Sequence, residues 1–268
     1  NVLKAIILAA GYATRLYPLT ENQPKPLLPV AGKPIIEHIL NNLARASAVD
    51  QVIVISNSRF YEQFSKWQQQ YEYPIPIQIL NDGTTSNDNR LGAIADLHLA
   101  IKEHNINDDI IVLAGDNLFD FELSKFIAFF REIKADCICA GQLDDRETLK
   151  RFGIVQLDQH NKVVSFEEKP QHPKSNLAVP AVYAYRADTL PLIGQYLAEG
   201  NIPDAPGNFI PWLIKHKPVY AYRFSGRFYD IGTLESYAEV QRITASKPRM
   251  AQLTNDLPFQ NVKSHKNA

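Results

Sequence analysis

Four short apolar runs, rich in Val, Ile and Leu, alternate with amphipathic segments through the first half of the sequence. The runs lie at about 3–10, 49–56, 76–80 and 108–116, and the amphipathic segments at about 35–46, 59–70 and 91–103. Runs this apolar are typical of parallel strands that are buried on both faces, and the periodicity between them indicates helices. This alternation predicts an α/β fold with a doubly wound, mostly parallel, Rossmann-like sheet.

The second half of the sequence has a more mixed pattern. Strand-like runs lie at 136–143, 152–158, 162–169, 177–186 and 217–224, with helices expected around 187–198 and 233–246. We interpret this half as a mixed β-extension of the same sheet, or a smaller lobe of the same domain. The predicted organisation is therefore one domain over residues 1–246, followed by a polar C-terminal tail over residues 247–268.

Composition limits the classes of partner. The chain has 28 Lys and Arg residues against 29 Asp and Glu residues, so no net field favours nucleic acid or an anionic membrane.

The two cysteines, Cys137 and Cys139, have the i, i+2 spacing of one strand face and are expected to be buried thiols. With no apolar run of about 18 residues, we expect a cytoplasmic protein without a membrane span, and a homo-oligomer is left open.

The first apolar run leads into a proline-rich, cationic loop over residues 9–34. Gly11 allows a close backbone approach to a ligand, and Arg15 and Lys25 are suited to phosphate oxygens. The loop is neither a P-loop nor the dinucleotide fingerprint, because Ala13 and Leu16 occupy the later glycine positions of the latter. Ligands of such sheets bind beyond the carboxyl ends of the strands, so an anion site is predicted here.

The stretch GYATRLYPLTENQPKPLLPVAGKP resembles the signature of the sugar-phosphate nucleotidyltransferases. That signature is G-x-G-T-R-L-x-P-L-T followed by P-K-P-L-x-P-V-x-x-K-P, with Ala13 here in place of the second glycine. The resemblance covers residues 3 to about 240. It implies a fold of the nucleotide-diphospho-sugar transferase type. It also implies that a nucleoside triphosphate and a sugar 1-phosphate are joined, with Mg²⁺ as cofactor and pyrophosphate as product.

The resemblance also implies roles for individual residues. Arg15, Lys25 and Lys169 would be catalytic, and Asp116 in LAGDNLF and Asp230 in GRFYDIGT would bind the metal. The nucleotide would be bound by Ala10, Gly11, Tyr12, Asn81, Thr85 and Gly92, and the sugar phosphate by Gly153, Glu168, Lys169 and Val179. This chemistry needs cationic side chains and Mg²⁺, because two polyanionic substrates repel each other and must be brought together.

The identity of the base stays open. The stretch EEKPQHPKSNLAVPAVYAY looks like the glucose-1-phosphate thymidylyltransferase branch, although Ala181 stands where that branch usually has glycine. Thymidylyltransferases typically have a glutamine and then G-L-A-Q in the base-reading loop, whereas this chain has Asn81 and RLGAI. The departure leaves either a pyrimidine or a purine triphosphate as the substrate.

Three alternatives remain for the reaction itself. Some relatives use CTP and choline phosphate, and aromatic side chains could surround the quaternary ammonium; the candidates are Tyr183, Tyr185, Tyr222 and Phe228. A non-catalytic sensing or assembly domain is a second alternative, and such relatives tend to lose the signature Arg, Lys or metal Asp that are kept here. An NAD-dependent dehydrogenase is disfavoured by the broken glycine fingerprint.

Overall fold

The computed structural model describes residues 2–245, in which strands and helices alternate through the first half. The strands are β1 (Leu3–Leu8), β2 (Pro29–Val30), β3 (Lys33–Pro34), β4 (Val49–Ser56), β5 (Ile77–Asn81), β6 (Ile110–Ala114), β7 (Leu118–Phe119), β8 (Asp136–Gln142), β9 (Gly153–Leu157), β10 (Val163–Glu168), β11 (Leu177–Val179), β12 (Val182–Tyr185), β13 (Val219–Arg223) and β14 (Phe228–Tyr229). The helices are α1 (Ile35–Arg45), α2 (Tyr61–Gln70), α3 (Ala93–Glu103), α4 (Leu123–Ile133), α5 (Arg146–Leu149), α6 (Leu190–Ala198), α7 (Phe209–Leu213) and α8 (Leu234–Ala245).

One large sheet organises the molecule, in the order β10-β9-β11-β8-β12-β6-β1-β4-β5, with β13 paired to β8. Strands β6, β1, β4 and β5 are parallel to one another. Strand β12 joins this part to the second half through antiparallel pairs with β6 and β8, and β11, β9 and β10 continue the antiparallel extension. The predicted α/β fold with a mixed β-extension is confirmed.

Both faces of the central strands are covered, which explains why their sequences are almost wholly apolar. Ile6 packs into one hydrophobic cluster and Ile7 into the other, and Ile53 and Val54 on β4 divide in the same way. This alternation follows from the two-residue period of a strand. Helices α1, α2, α4 and α8 contribute to one cluster, and α3, α6 and α7 to the other.

Helix α4 is a local difference from the sequence interpretation, which assigned no helix to this segment. Leu123, Phe126, Ile127 and Phe130 are all buried and have the i, i+3, i+4, i+7 spacing of one helix face. The pattern therefore indicates this helix, and the interpretation omitted it. The predicted tail over residues 247–268 lies outside the described residues.

The two cysteines lie in β8 and are both free and buried, as predicted. Burial raises the pKa of the Cys137 thiol and of the Cys139 thiol, so neither is a reactive thiolate. Between residues 2 and 245, no helix is both long and apolar enough to cross a membrane.

Candidate active site

A cleft of about 300 Å³ opens at the carboxyl edge of the parallel strands. Leu8 of β1 is in register with Ala114 of β6 and with Ile55 of β4, so the loops after these strands begin at the same level. The cleft is lined by the loop after β1, the turn after β6, the start of α3 and the segment near residue 204. Six of the predicted site residues line it: Ala10, Gly11, Arg15, Lys25, Gly92 and Asp116.

Lys25 and Asp116 meet at the floor of this cleft, with 3.0 Å between Lys25 Nζ and Asp116 Oδ2. Lys25 starts a short 3₁₀ turn that contains Pro26 and follows Pro24, so its backbone is stiff. Asp116 follows Gly115, whose amide donates to the Leu8 carbonyl at 2.8 Å. The Lys25 side chain is 14% exposed and that of Asp116 40%, so a ligand can reach both partners of the ion pair.

Arg15 and Asp230 flank one rim of the cleft at Gly232. A Cβ placed on Gly232 would lie 3.4 Å from Arg15 Nη2 and 3.4 Å from Asp230 Oδ1. Arg15 belongs to a 3₁₀ turn that begins after Ala13, a residue with a left-handed backbone at φ 46°. Asp230 Oδ2 accepts a hydrogen bond of 3.1 Å from Arg151 Nη1. Each predicted metal carboxylate is therefore paired with a cation.

The backbone at Ala10 and Gly11 is held in place but leaves space for a ligand. Asn57, which is fully buried, donates from Nδ2 to the Ala10 carbonyl at 2.9 Å and accepts from the Phe60 amide at 3.0 Å. No atom lies within 4 Å of the position that a Cβ on Gly11 would occupy. The protein therefore does not fill the space beside Gly11, as expected where a ligand approaches the backbone.

The donor set at Asp116 and Asp230 fits Mg²⁺. This ion is usually held by one or two carboxylates, with water and substrate phosphates completing its octahedral coordination. Both side chains are partly exposed, at 40% and 27%. Within the described part of the chain, no group of three or more His, Cys, Asp or Glu side chains forms a closed metal site.

Three predicted nucleotide residues do not line the cleft. Tyr12 is buried behind it, and its hydroxyl lies 3.1 Å from Thr84 Oγ1. Asn81 Oδ1 accepts from Ser58 Oγ and from the backbone amide of the following turn, so it shapes the loop after β5. Thr85 Oγ1 accepts from a neighbouring side chain at 3.1 Å in the same loop.

The predicted sugar-phosphate residues form a second group on adjacent strands of the extension. Gly153 of β9 is in register with Glu168 of β10 and with Val179 of β11. Lys169 follows directly, with φ 47°, and its amide donates to the Phe152 carbonyl at 3.1 Å. The residues predicted to bind the sugar phosphate therefore lie side by side on neighbouring strands.

A short 3₁₀ turn that contains Pro206 and Gly207 lies between this group and the cleft. Pro206 lines the cleft, and Glu168 Oε2 lies so close to Gly207 that a Cβ there would collide with it. Burial raises the pKa of Glu168, and the neighbouring Lys169 partly opposes this shift. The turn is therefore in contact with both groups of predicted residues.

Gly92, the residue before α3, has a conformation that only glycine adopts readily, with φ 93° and ψ 154°. A Cβ there would lie 2.6 Å from the carbonyl oxygen of Pro203, which accepts a hydrogen bond from the Ile94 amide. We expect Gly92→Ala to lower the free energy of unfolding by about 2 kcal/mol. Urea denaturation measures this change.

Gly83→Ala is the matched control for Gly92→Ala. Gly83 also has a positive φ, of 82°, but no atom lies within 4 Å of its Cβ position. The control variant therefore has backbone strain without a collision, and we expect it to lower the free energy of unfolding by about 1 kcal/mol. Equal losses in the two variants would mean that the contact with Pro203 contributes nothing.

Several cleft residues were not predicted from the sequence. Arg90, Asp96 and Asp204 line the cleft, and Arg90 Nε lies 3.7 Å from Asp204 Oδ1. Asp96 had a detectable signal, since it lies with Leu97 and Ala100 on the buried face of α3, where a carboxylate is unusual. Arg151, the partner of Asp230, has no comparable signal.

Comparisons with known proteins agree with this architecture. The family model described as nucleotidyl transferase matches residues 4–247. The bifunctional protein GlmU of Methanocaldococcus jannaschii is 30% identical over 86% of this chain and 51% of its own length. A glucose-1-phosphate adenylyltransferase of Thermomicrobium roseum is 33% identical over 87% of this chain and 58% of its own length. The chain thus spans a little over half the length of these curated relatives.

Solved structures have the same fold at lower identity. A UDP-glucose pyrophosphorylase complexed with UDP-glucose has a TM-score of 0.77 and 18% identity, and covers 91% of this chain and 99% of its own. A putative glucose-1-phosphate thymidylyltransferase from Bacillus anthracis has a TM-score of 0.72 and 23% identity, and covers 97% and 98%. The family model, which spans nearly all of the described residues, places this chain in the nucleotidyl transferase family.

Proposed function

We propose that the chain transfers a nucleotidyl group from a nucleoside triphosphate to a sugar 1-phosphate, giving an NDP-sugar and pyrophosphate. The observation that carries the proposal is the convergence of Arg15, Lys25 and Asp116 on one cleft at the carboxyl edge of the sheet. Arg15 and Lys25 come from the signature loop, and Asp116 comes from the first predicted metal motif. Their convergence also favours a catalytic domain over a non-catalytic relative.

The chemistry requires charge neutralisation more than proton transfer. A phosphate ester has a second pKa near 6, so the attacking oxygen of a sugar phosphate is largely ionised at neutral pH. It attacks the α-phosphorus, a new P–O bond forms, and the bond to the departing pyrophosphate breaks. Arg15 and Lys25 would hold the triphosphate and stabilise the charge on the departing pyrophosphate, while Lys169 would hold the incoming phosphate.

Mg²⁺ would be held by Asp116 and Asp230, and it would supply electrostatic stabilisation of the phosphate oxygens. These carboxylates are paired with Lys25 and Arg151. Release of either cation from its carboxylate would make it available to a phosphate group.

A sugar 1-phosphate is a better candidate acceptor than choline phosphate. Tyr183 and Tyr185 are almost fully buried in the cluster beneath α6 and α7. Tyr222 and Phe228 pack against the opposite cluster, Tyr222 beside Phe126 and Phe228 beside Phe224. The four aromatics therefore do not form one cage for a quaternary ammonium.

The test is pyrophosphate release with Mg²⁺ over a matrix of substrates. The triphosphates are dTTP, UTP, CTP, GTP and ATP, and the acceptors are glucose 1-phosphate, mannose 1-phosphate, N-acetylglucosamine 1-phosphate and choline phosphate. We expect one sugar phosphate pair to be productive. Turnover only with choline phosphate, or no nucleotide binding at all, would contradict the proposal.

A further inference from the structure

Two carboxyl groups outside the signature motifs meet beside the cleft. Asp82 follows β5, and Asp96 lies on α3 and lines the cleft wall. Asp96 is only 6% exposed. Asp82 is fixed by Thr84, whose amide and hydroxyl donate to Asp82 Oδ1 at 2.9 and 2.7 Å, and Thr84 is in turn in contact with Tyr12.

One oxygen of each carboxyl group has no donor from any other residue. Asp82 Oδ2 and Asp96 Oδ1 are both buried, and neither accepts a hydrogen bond from the rest of the protein. Two carboxylates can hydrogen-bond to each other only if one of them carries a proton. Burial and the hydrogen bond with Asp82 raise the pKa of Asp96 to about 9, so the pair holds one proton at neutral pH.

The shared proton determines what the pair offers to a ligand. Whichever carboxyl group carries the proton, its O–H is used within the pair. Asp96 lines the cleft, so we expect the oxygen that it does not use within the pair to be available there as an acceptor only, on a pair with one negative charge. A ligand that supplies a hydrogen-bond donor to this oxygen is favoured, because a buried acceptor without a donor is costly.

The position of Asp96 identifies the part of the nucleotide it would meet. Arg15 and Lys25 lie in the loop whose buried apolar residues, except Ala10, belong to one hydrophobic cluster, whereas α3 packs into the cluster on the other face of the sheet. Under the proposed function, Arg15 and Lys25 hold the phosphates. A negatively charged pair would repel phosphate, so Asp96 is suited to the opposite end of the nucleotide, which is the base.

We propose that the Asp82–Asp96 pair reads the base and favours those with an exocyclic amino group over uracil and thymine. Adenine, cytosine and guanine each present such an amino donor. Uracil and thymine have none, and their single N–H donor lies between two carbonyl oxygens that would face the same acceptor. The inference rests on the proposed function, because that function places the triphosphate in this cleft.

The test is the equilibrium binding of ATP, CTP, GTP, UTP and dTTP to the full chain by calorimetry with Mg²⁺ and no acceptor. We expect the best amino-bearing nucleotide to bind at least tenfold more tightly than UTP or dTTP. A smaller preference would overturn the inference. Base-blind but saturable binding would leave the proposed function intact, whereas no binding of any nucleotide would contradict the proposed function itself.

Three variants separate base reading from a structural role. Asp96→Ala removes the acceptor, and we expect the preference to fall below threefold while inorganic pyrophosphate binds as in the wild type. Asp96→Asn can donate its amide to Asp82 and keep an oxygen towards the cleft, so we expect most of the preference to remain. Asp88→Asn, at an exposed position in the same loop, is the charge-matched control. A tenfold preference that survives Asp96→Ala would overturn the inference. If that variant does not fold, the affinities of the wild-type chain for the five nucleotides decide the inference.

Discussion

Lys25→Ala is expected to lower kcat about a hundredfold, with little change in stability. Lys25 is the cation on the floor of the cleft, and its ammonium would face the charge that develops on the leaving pyrophosphate. Removing one such electrostatic contact typically costs on the order of 3 kcal/mol of transition-state stabilisation. Its ion pair with Asp116 is partly exposed, so the loss of that pair should lower the free energy of unfolding by less than about 1 kcal/mol.

The measurement is pyrophosphate release at saturating substrates, with thermal unfolding as the test of folding. Lys125→Ala is a suitable control, because Lys125 also pairs with a carboxylate, Glu122, at 3.2 Å, but lies on the exposed face of α4. The control should turn over normally. Near-normal turnover of Lys25→Ala would remove Lys25 from the mechanism.

Asp116→Asn is expected to reduce turnover by a similar factor, through the metal. The amide has the same shape but no charge, and Mg²⁺ binds neutral amide oxygens less strongly than carboxylates. Titration with Mg²⁺ should therefore show a higher metal requirement as well as a lower maximal rate. Both quantities come from the same pyrophosphate assay.

Asp50→Asn is the matched control for the metal variant. Asp50 also accepts from a lysine, Lys4, at 2.8 Å, but this pair lies near the start of β1 and β4, at the opposite edge of the sheet. The control should keep the wild-type dependence on Mg²⁺. If Asp50→Asn and Asp116→Asn gave the same rates and the same metal dependence, Asp116 would not be a metal ligand.

The loop after β1 could be predicted from the sequence because its information is local. Gly11, Arg15 and Lys25 are close in the chain, and a strand with apolar residues on both faces determines where the loop begins. Asp116 could be predicted for the same reason, since it follows another such strand.

The roles of Asn57 and Asp96 could not be derived from the sequence, although the apolar pattern of α3 indicates that Asp96 is buried. Each acts through a contact with a residue far along the chain or on another element, and each depends on burial. Asn and Asp are ordinary loop and helix residues when they are exposed. The parts of the site that depend on a single segment were therefore predictable, whereas those that depend on packing between segments required the fold.

The sheet divides the cleft between two layers that share no buried hydrophobic residue. The signature loop packs with one cluster through Leu16 and Leu27, and the wall formed by α3 packs with the other through Ile94 and Leu97. Two contacts join the layers, since Ala10 of the loop lies in the α3 cluster and Tyr12 contacts Thr84. For substitutions away from these contacts, we expect the effects in the two layers to add. Under the two proposals, the choice of base could therefore change during evolution, or be altered by directed selection in the α3 layer, while the residues that hold the phosphates stay the same.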